Sequence, residues 1–180
     1  MISVTQILSP WQDWSSIRPE VLEAASNRGT RVHSLCAAYA QRLYIPRIDE
    51  DCQGYFDSFT GWFDSTVEEV IACECELVCN DNLFIGHPDA ILKIRGDKTL
   101  SVADWKTPIT PNRSWRIQLS TYQHLARVNG YQVDRVFPLR LSKDGKKPIV
   151  NEYSGTASRD LAVFLNALTV YRYFNEGKTY

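Results

Sequence analysis

The chain has no apolar run near the roughly 18 residues that a membrane span needs, and no basic stretch leading into an apolar one near its start. Neither a membrane-embedded nor an exported protein is expected; the expected setting is the cytoplasm. Net charge is nearly absent: 20 Lys and Arg stand against 21 Asp and Glu, giving −1. No global basic character advertises a nucleic-acid partner, although a basic groove fits inside a neutral total. The cysteines are odd in number, five, and none follows Cys79. That pattern is not a disulfide framework, and free thiols in a reducing compartment are expected. A phosphate-binding G-x-x-x-x-G-K-[ST] loop is missing, which excludes a nucleotide-driven motor of that kind. Internal repeats, low-complexity tracts and Pro/Ser-rich linkers are missing too. With 180 residues, 44% of them hydrophobic, one domain around one core is expected over 1–180.

What is present falls into three parts: a helical part over 1–68, a sheet with one helix over 70–154, and a closing helix over 156–176. Residues 2–9 read as a helical turn or an extended entry closed by Pro10. Trp11 and Trp14 read as lids on the core. Pro19 suits the first turn of a helix reaching Tyr44, either one bent helix or two, with Gly29 at the interruption. From there Val32, Leu35, Cys36, Tyr39 and Leu43 keep helical spacing, with His33 beside the stripe. Residues 49–71 form a second helical candidate. Residues 71–79 then alternate as a strand, which puts Cys73, Cys75 and Cys79 on one face as small apolar residues rather than metal ligands. Strands follow at 83–95 and 99–106, a helix at 115–128, strands at 133–141 and 148–153, and a helix from Ser158 to Phe174. The order predicts an α/β (α+β) fold, with a mixed central sheet of about five strands flanked by helices.

Chemistry concentrates between Phe84 and Thr107, FIGHPDAILKIRGDKTLSVADWKT. Two strands joined at Gly96-Asp97 carry Asp89 on one arm and Asp104 and Lys106 on the other, where Val or Ile would suit a strand better. An Asp-x-Lys triplet alone is weak, since about half of one is expected by chance in a chain this long. Asp144-Gly145-Lys146 is a second copy, in a Gly-centred turn that reads as solvated. The first copy differs because it ends an apolar strand and because hairpin pairing brings Asp89 opposite Asp104. Two buried carboxylates repel and raise a pKa unless a cation lies between them. A hard divalent cation with oxygen ligands, Mg²⁺ or Mn²⁺, suits that pair. Lys106 can then orient a water, help deprotonate it, or offset charge in a phosphoryl transition state.

Pro88-Asp89, fourteen residues, then Asp104-Trp105-Lys106 resembles the signature of the PD-(D/E)XK nuclease superfamily. Four more segments, in order, resemble its RecB-type exonuclease branch: Ser3-Val4-Thr5-Gln6-Ile7, Gly29-Thr30-Arg31-Val32-His33, Gly86-His87-Pro88-Asp89, and Gln118 with Tyr122. The resemblance spans about residues 3–125 and implies a restriction-endonuclease-like core. It implies metal ligation by His33, Asp89, Asp104 and the backbone carbonyl of Trp105. Asp89, Asp104 and Lys106 would be catalytic, and Gln118 and Tyr122, on one helix face, would hold the DNA strand. The cysteines that bind an iron–sulfur cluster in some relatives have no counterpart after Cys79, so no such cluster is expected.

Other candidates remain open beside these. His87 shares a strand face with Asp89 and rivals His33. Glu74 opposes Asp89 if paired residues sum to 163, and Glu76 lies on the same side; Glu76 is the candidate extra acid for a second metal, and Glu76→Ala is expected to lower activity at limiting metal. Arg113 and Arg116 are candidate DNA contacts, as are Arg140, Lys143, Lys146 and Lys147. His124 reads as solvated. The expected function is a Mg²⁺- or Mn²⁺-dependent deoxyribonuclease, an exonuclease in DNA processing or recombination, of phage or mobile-element type. It would act in a bacterial or phage-infected cell, as a homo-oligomer or with a recombination partner protein. A structure- or sequence-specific endonuclease on the same fold is one alternative, and a catalytically inactive nucleic-acid-binding protein is another.

Overall fold

The structure, a computed structural model, describes residues 1–175. Among the described residues it is α+β, with five α-helices and two mixed sheets. Strand β1 (Ile2–Ser3) leads into helix α1 (Val4–Leu8) through a capping box: the Gln6 N–H donates to Ser3 Oγ at 3.2 Å, and the Ser3 N–H donates to Gln6 Oε1 at 2.9 Å. Helix α2 (Pro19–Ala40) starts on Pro19 and runs through Gly29 as one continuous helix. Helix α3 (Glu50–Thr66) ends five residues earlier than its spacing predicts, because Val67–Cys73 is already strand β2. Val67, Val70 and Ile71 are β-branched and gain a partner strand there, which outweighs the helical continuation.

The expected strands at 71–79 and 83–95 are each two. Strand β2 is separated from β3 (Leu77–Cys79) by residues 74–76, and β4 (Phe84–Gly86) is separated from β5 (Ala90–Ile94) by residues 87–89. Then come β6 (Leu100–Lys106), helix α4 (Ser114–Val128), β7 (Val133–Arg140), β8 (Ile149–Val150) and helix α5 (Ala157–Asn175). The closing helix expected over 156–176 includes Glu176, which lies outside the described residues. The larger sheet has the order β2-β5-β6-β7-β8, with β6 and β7 parallel and the other pairs antiparallel. The smaller has the order β1-β4-β3, with β1 parallel to β4.

Each face of the larger sheet has its own core. Helices α2 and α3 cover the face bearing Leu92, Trp105, Phe137 and Leu139. Helices α1, α4 and α5 cover the face bearing Ile91, Val102 and Val136. Since alternate residues share a face, Asp104 and Lys106 belong with Val102, on the side of α4. The cysteines do not share a face. Cys73 packs toward α2 and α3, whereas Cys75 and Cys79 pack toward the other core. The strand break at Glu74, whose φ of +51° is in the left-handed region, reverses the alternation between them. All five thiols are free. Trp11 and Trp14 are not core lids, at 58% and 40% exposed. They sit on the segment between α1 and α2.

Candidate active site

The two strand breaks face each other. Backbone pairing follows the sum of 163 on both sides, with Cys73 opposite Ala90 and Leu77 opposite Gly86, and the Glu74 N–H donates to the Asp89 carbonyl at 3.0 Å. Here the chain leaves one sheet for the other, which opens a gap that α2 and α4 approach from opposite faces. A cleft of about 480 Å³ runs along α2 past Ser26, Gly29, Thr30 and His33 to Glu74 and Asp89.

Asp89 is the hub. It is 6% exposed, and both of its oxygens are engaged: Oδ1 lies 3.0 Å from His33 Nδ1, and Oδ2 accepts from the Trp105 N–H. His33 Nδ1 and Asp89 Oδ1 thus face one another across a single space. Ligand atoms of His33, Glu74 and Asp89 all lie within 4.8 Å of one another, so these three can hold a metal ion. Burial disfavours the His33 imidazolium, but the Asp89 carboxylate outweighs it and raises the His33 pKa. Burial and the negative charge of Asp89 raise that of Glu74. Both shifts register the same concentration of negative charge.

Asp104 sits beside this group and not within it. Register places it opposite Asp89, one step beyond the Ala90–Ala103 pair. Its buried Oδ2 is in direct ionic contact with the Lys106 ammonium. Burial raises the Asp104 pKa despite the opposing charge of Lys106. Lys106 donates to Gln118 Oε1 at 3.1 Å, and the Gln118 amide donates to the Tyr122 hydroxyl at 3.0 Å. The Lys106 Nζ also stands 5.7 Å from the centre of the Trp115 ring. Tyr122 is buried, and burial pushes its phenol pKa well up, so it stays protonated. Gly86 makes room for this arrangement: a Cβ there would stand 2.8 Å from the Tyr122 ring and 2.6 Å from Leu125.

The Trp105 N–H points toward β5, whereas the Lys106 carbonyl accepts from Leu141 on the β7 side at 2.8 Å. In a strand the N–H and C=O of one residue face the same neighbour, so the Trp105 carbonyl also faces the Asp89 side.

Other candidates go elsewhere. Glu76 is exposed and pairs with His87 at 3.3 Å, outside the three-residue group, so Glu74 and not Glu76 is the additional acid, and His33 and not His87 is the imidazole, that this geometry brings to Asp89. Arg116 is committed to the buried Asp160, at 3.2 Å, and lies over the Tyr153 ring. Arg113 is exposed. His124 is not solvated: it stacks on Phe84 and lies 3.8 Å from Cys79 Sγ. Glu74 was open to inspection from pairing arithmetic, but the backbone bend that brings this exposed side chain beside Asp89 has no sequence mark such as a Gly.

In comparisons with known proteins, no family model and no curated protein matches this chain.

Proposed function

We propose that the larger sheet and its flanking helices are a restriction-endonuclease-like core, and that the protein is a metal-dependent DNA nuclease of the PD-(D/E)XK superfamily, RecB-type exonuclease branch. One observation carries this reading. A strand break gathers His33, Glu74 and Asp89 within 4.8 Å of one another, next to a buried Asp104–Lys106 ion pair. Gathering carboxylates in a half-enclosed cleft costs repulsion and desolvation that packing alone does not explain.

The donor set fits a hard divalent cation such as Mg²⁺ or Mn²⁺. It supplies carboxylate oxygens, one imidazole and a backbone carbonyl facing the same side. His33, Glu74 and Asp89 would hold the cation, with Asp104 and the Trp105 carbonyl at its margin. Such a cation supplies Lewis acidity toward a phosphodiester oxygen and acidifies a water.

The chain's own groups do the rest. Asp89 fixes the His33 ring and, through the Trp105 N–H, ties the two hairpin arms together. Lys106 carries the positive charge that offsets developing charge on a phosphoryl group. Asp104 holds the ammonium from one side and Gln118 from the other, with Tyr122 fixing the Gln118 amide.

Incubation with linear and circular DNA in Mg²⁺, Mn²⁺ or EDTA tests the proposal. Loss of linear DNA alone, abolished by EDTA, is the expected result. Nicking of circles would move the assignment to an endonuclease. If neither substrate is cut, and Lys106→Ala matches wild type throughout, the reading is wrong.

A further inference from the structure

We infer that Arg140, with Lys143, Lys146 and Lys147, forms a fixed cationic track that carries the phosphate backbone of DNA to or from the Lys106 end of the cleft. This rests on the nuclease reading above for what happens at that end.

The sheet register places the first member. Strands β6 and β7 run in parallel with Lys106 aligned to Arg140, just as Val102 is aligned to Val136. Val102 and Val136 both face the α4 side. Four residues on in each strand, Lys106 and Arg140 share that face. The two cations are thus neighbours on adjacent strands, one at the acids and one beside it.

Arg140 differs from the arginines that hold the fold together. Arg31, Arg116, Arg127 and Arg135 each pair with a carboxylate. Neither Arg140 nor any of the three lysines has a carboxylate partner within ion-pair distance among the described residues. The half-buried guanidinium of Arg140 is a planar, two-pronged donor suited to phosphate.

The lysines follow on a turn that is built, not loose. The Leu141 N–H extends the ladder to the Lys106 carbonyl, the Ser142 N–H donates to Ser58 Oγ on α3 at 3.0 Å, and the Gly145 N–H closes the turn on the Ser142 carbonyl at 3.3 Å. Gly54 of α3 sits so close that a Cβ there would fall 1.8 Å from the Lys143 carbonyl oxygen. Lys143, Lys146 and Lys147 project from this anchored turn into solvent. Two acids are near, Asp144 within the turn and Asp57 beneath Gly145, and Asp57 already accepts from Gln53 at 2.8 Å. Arg140 on the α4 side and the three lysines on the α3 side, set against these two acids, leave the sheet edge at the end of β7 positive on a protein of net charge −1. A backbone polyanion is the ligand that uses a row of fixed, unpaired cations without reading sequence.

The test is the salt dependence of binding, measured apart from cleavage. Fluorescence anisotropy of a labelled blunt duplex and a labelled single strand in EDTA, across 50–200 mM KCl, is compared for wild type, Arg140→Ala, Arg140→Lys and the triple variant Lys143→Ala/Lys146→Ala/Lys147→Ala. Each lost phosphate contact makes the log–log slope shallower by about 0.9 on duplex and about 0.7 on single strand. Arg140→Ala is expected to lose one such step and Arg140→Lys to keep it. The triple variant is expected to lose up to about 2.7 on duplex or about 2.1 on single strand. Its lysines are exposed, so its melting temperature should match wild type. Slopes unchanged in both Arg140→Ala and the triple variant, or no DNA binding by wild type, overturn the track. Cleavage in Mg²⁺, run on the same proteins, separates the two ideas. Binding with the expected slopes but no cutting keeps the track and removes the hydrolysis. Cutting with unchanged slopes does the reverse.

Discussion

The chain contains two Asp-x-Lys triplets, and they do opposite things with the same residues. Asp104-Trp105-Lys106 ends a strand buried between two cores, with Trp105 fully buried and Asp104 3% exposed. Asp144-Gly145-Lys146 lies in a turn, with Gly145 at φ +70° and both charged side chains in water. At the first triplet the low polarity of the surroundings raises the Asp104 pKa and forces it against Lys106. At the second, solvent screens both charges and neither needs the other. What separates them is whether water can reach the pair.

The sharpest way to break that contrast is to neutralise each aspartate. On the nuclease reading, Asp104→Asn and Lys106→Ala each lower the hydrolysis rate by about 10²–10³-fold, the cost of removing one preorganised charge from a reacting centre. Asp144→Asn leaves the rate within about twofold, as expected for a screened surface charge. Steady-state cleavage of one linear substrate by all three variants is the measurement. Equal losses at Asp104 and Asp144 would erase the distinction.

A structural version of the contrast uses the glycines beneath each triplet. Gly54→Ala places a Cβ 1.8 Å from the backbone oxygen of Lys143. Backbone cannot rotate aside, so overpacking of about 1–3 kcal/mol or more is expected, against a gain in helix propensity of at most about 1 kcal/mol. The clash wins, and chemical denaturation should show a lower midpoint. Gly86→Ala meets side-chain atoms of Tyr122 and Leu125 instead, which can shift slightly. A loss of about 1–2 kcal/mol is expected there, together with reduced cleavage, because Tyr122 holds Gln118 and through it Lys106.

Much of this contrast was legible in the sequence. The alternation around Val102 and Ala103 put Asp104 on a buried strand, and hairpin pairing put Asp89 opposite it, because register arithmetic needs only turn positions. The α+β order and strands β5 to β8 followed from hydrophobic period, whereas most of β2 read as helix and the second sheet was not expected. The breaks at 74–76 and 87–89 did not. Glu74 adopts a positive φ without being glycine, and the gain that offsets this strain comes from tertiary contacts that no local pattern encodes. The end of α3 was misplaced for a similar reason, since Glu68-Glu69 reads as helix until β5 is there to pair with. Arg116 looked like any exposed cation at a helix start; its partner Asp160 lies 44 residues away.

The strand break also decides between two glutamates that look alike on paper. Glu74 and Glu76 are two apart, and unbroken alternation would give both the same outlook. In the folded chain Glu74 turns into the group with His33 and Asp89, while Glu76 stays in solvent with His87. Glu74→Gln should therefore raise the Mn²⁺ concentration needed for half-maximal activity by about 10-fold, the lower end of what a supporting carboxylate contributes to a metal site. Glu76→Gln should leave that concentration unchanged, since an exposed pair with His87 is worth little. A metal titration at fixed DNA reads both, and the metal dependence distinguishes a ligand from a merely structural acid, whose loss would lower activity at saturating Mn²⁺ as well. A shift at Glu76 with none at Glu74 would mean that the strand runs straight through this region when the site is loaded.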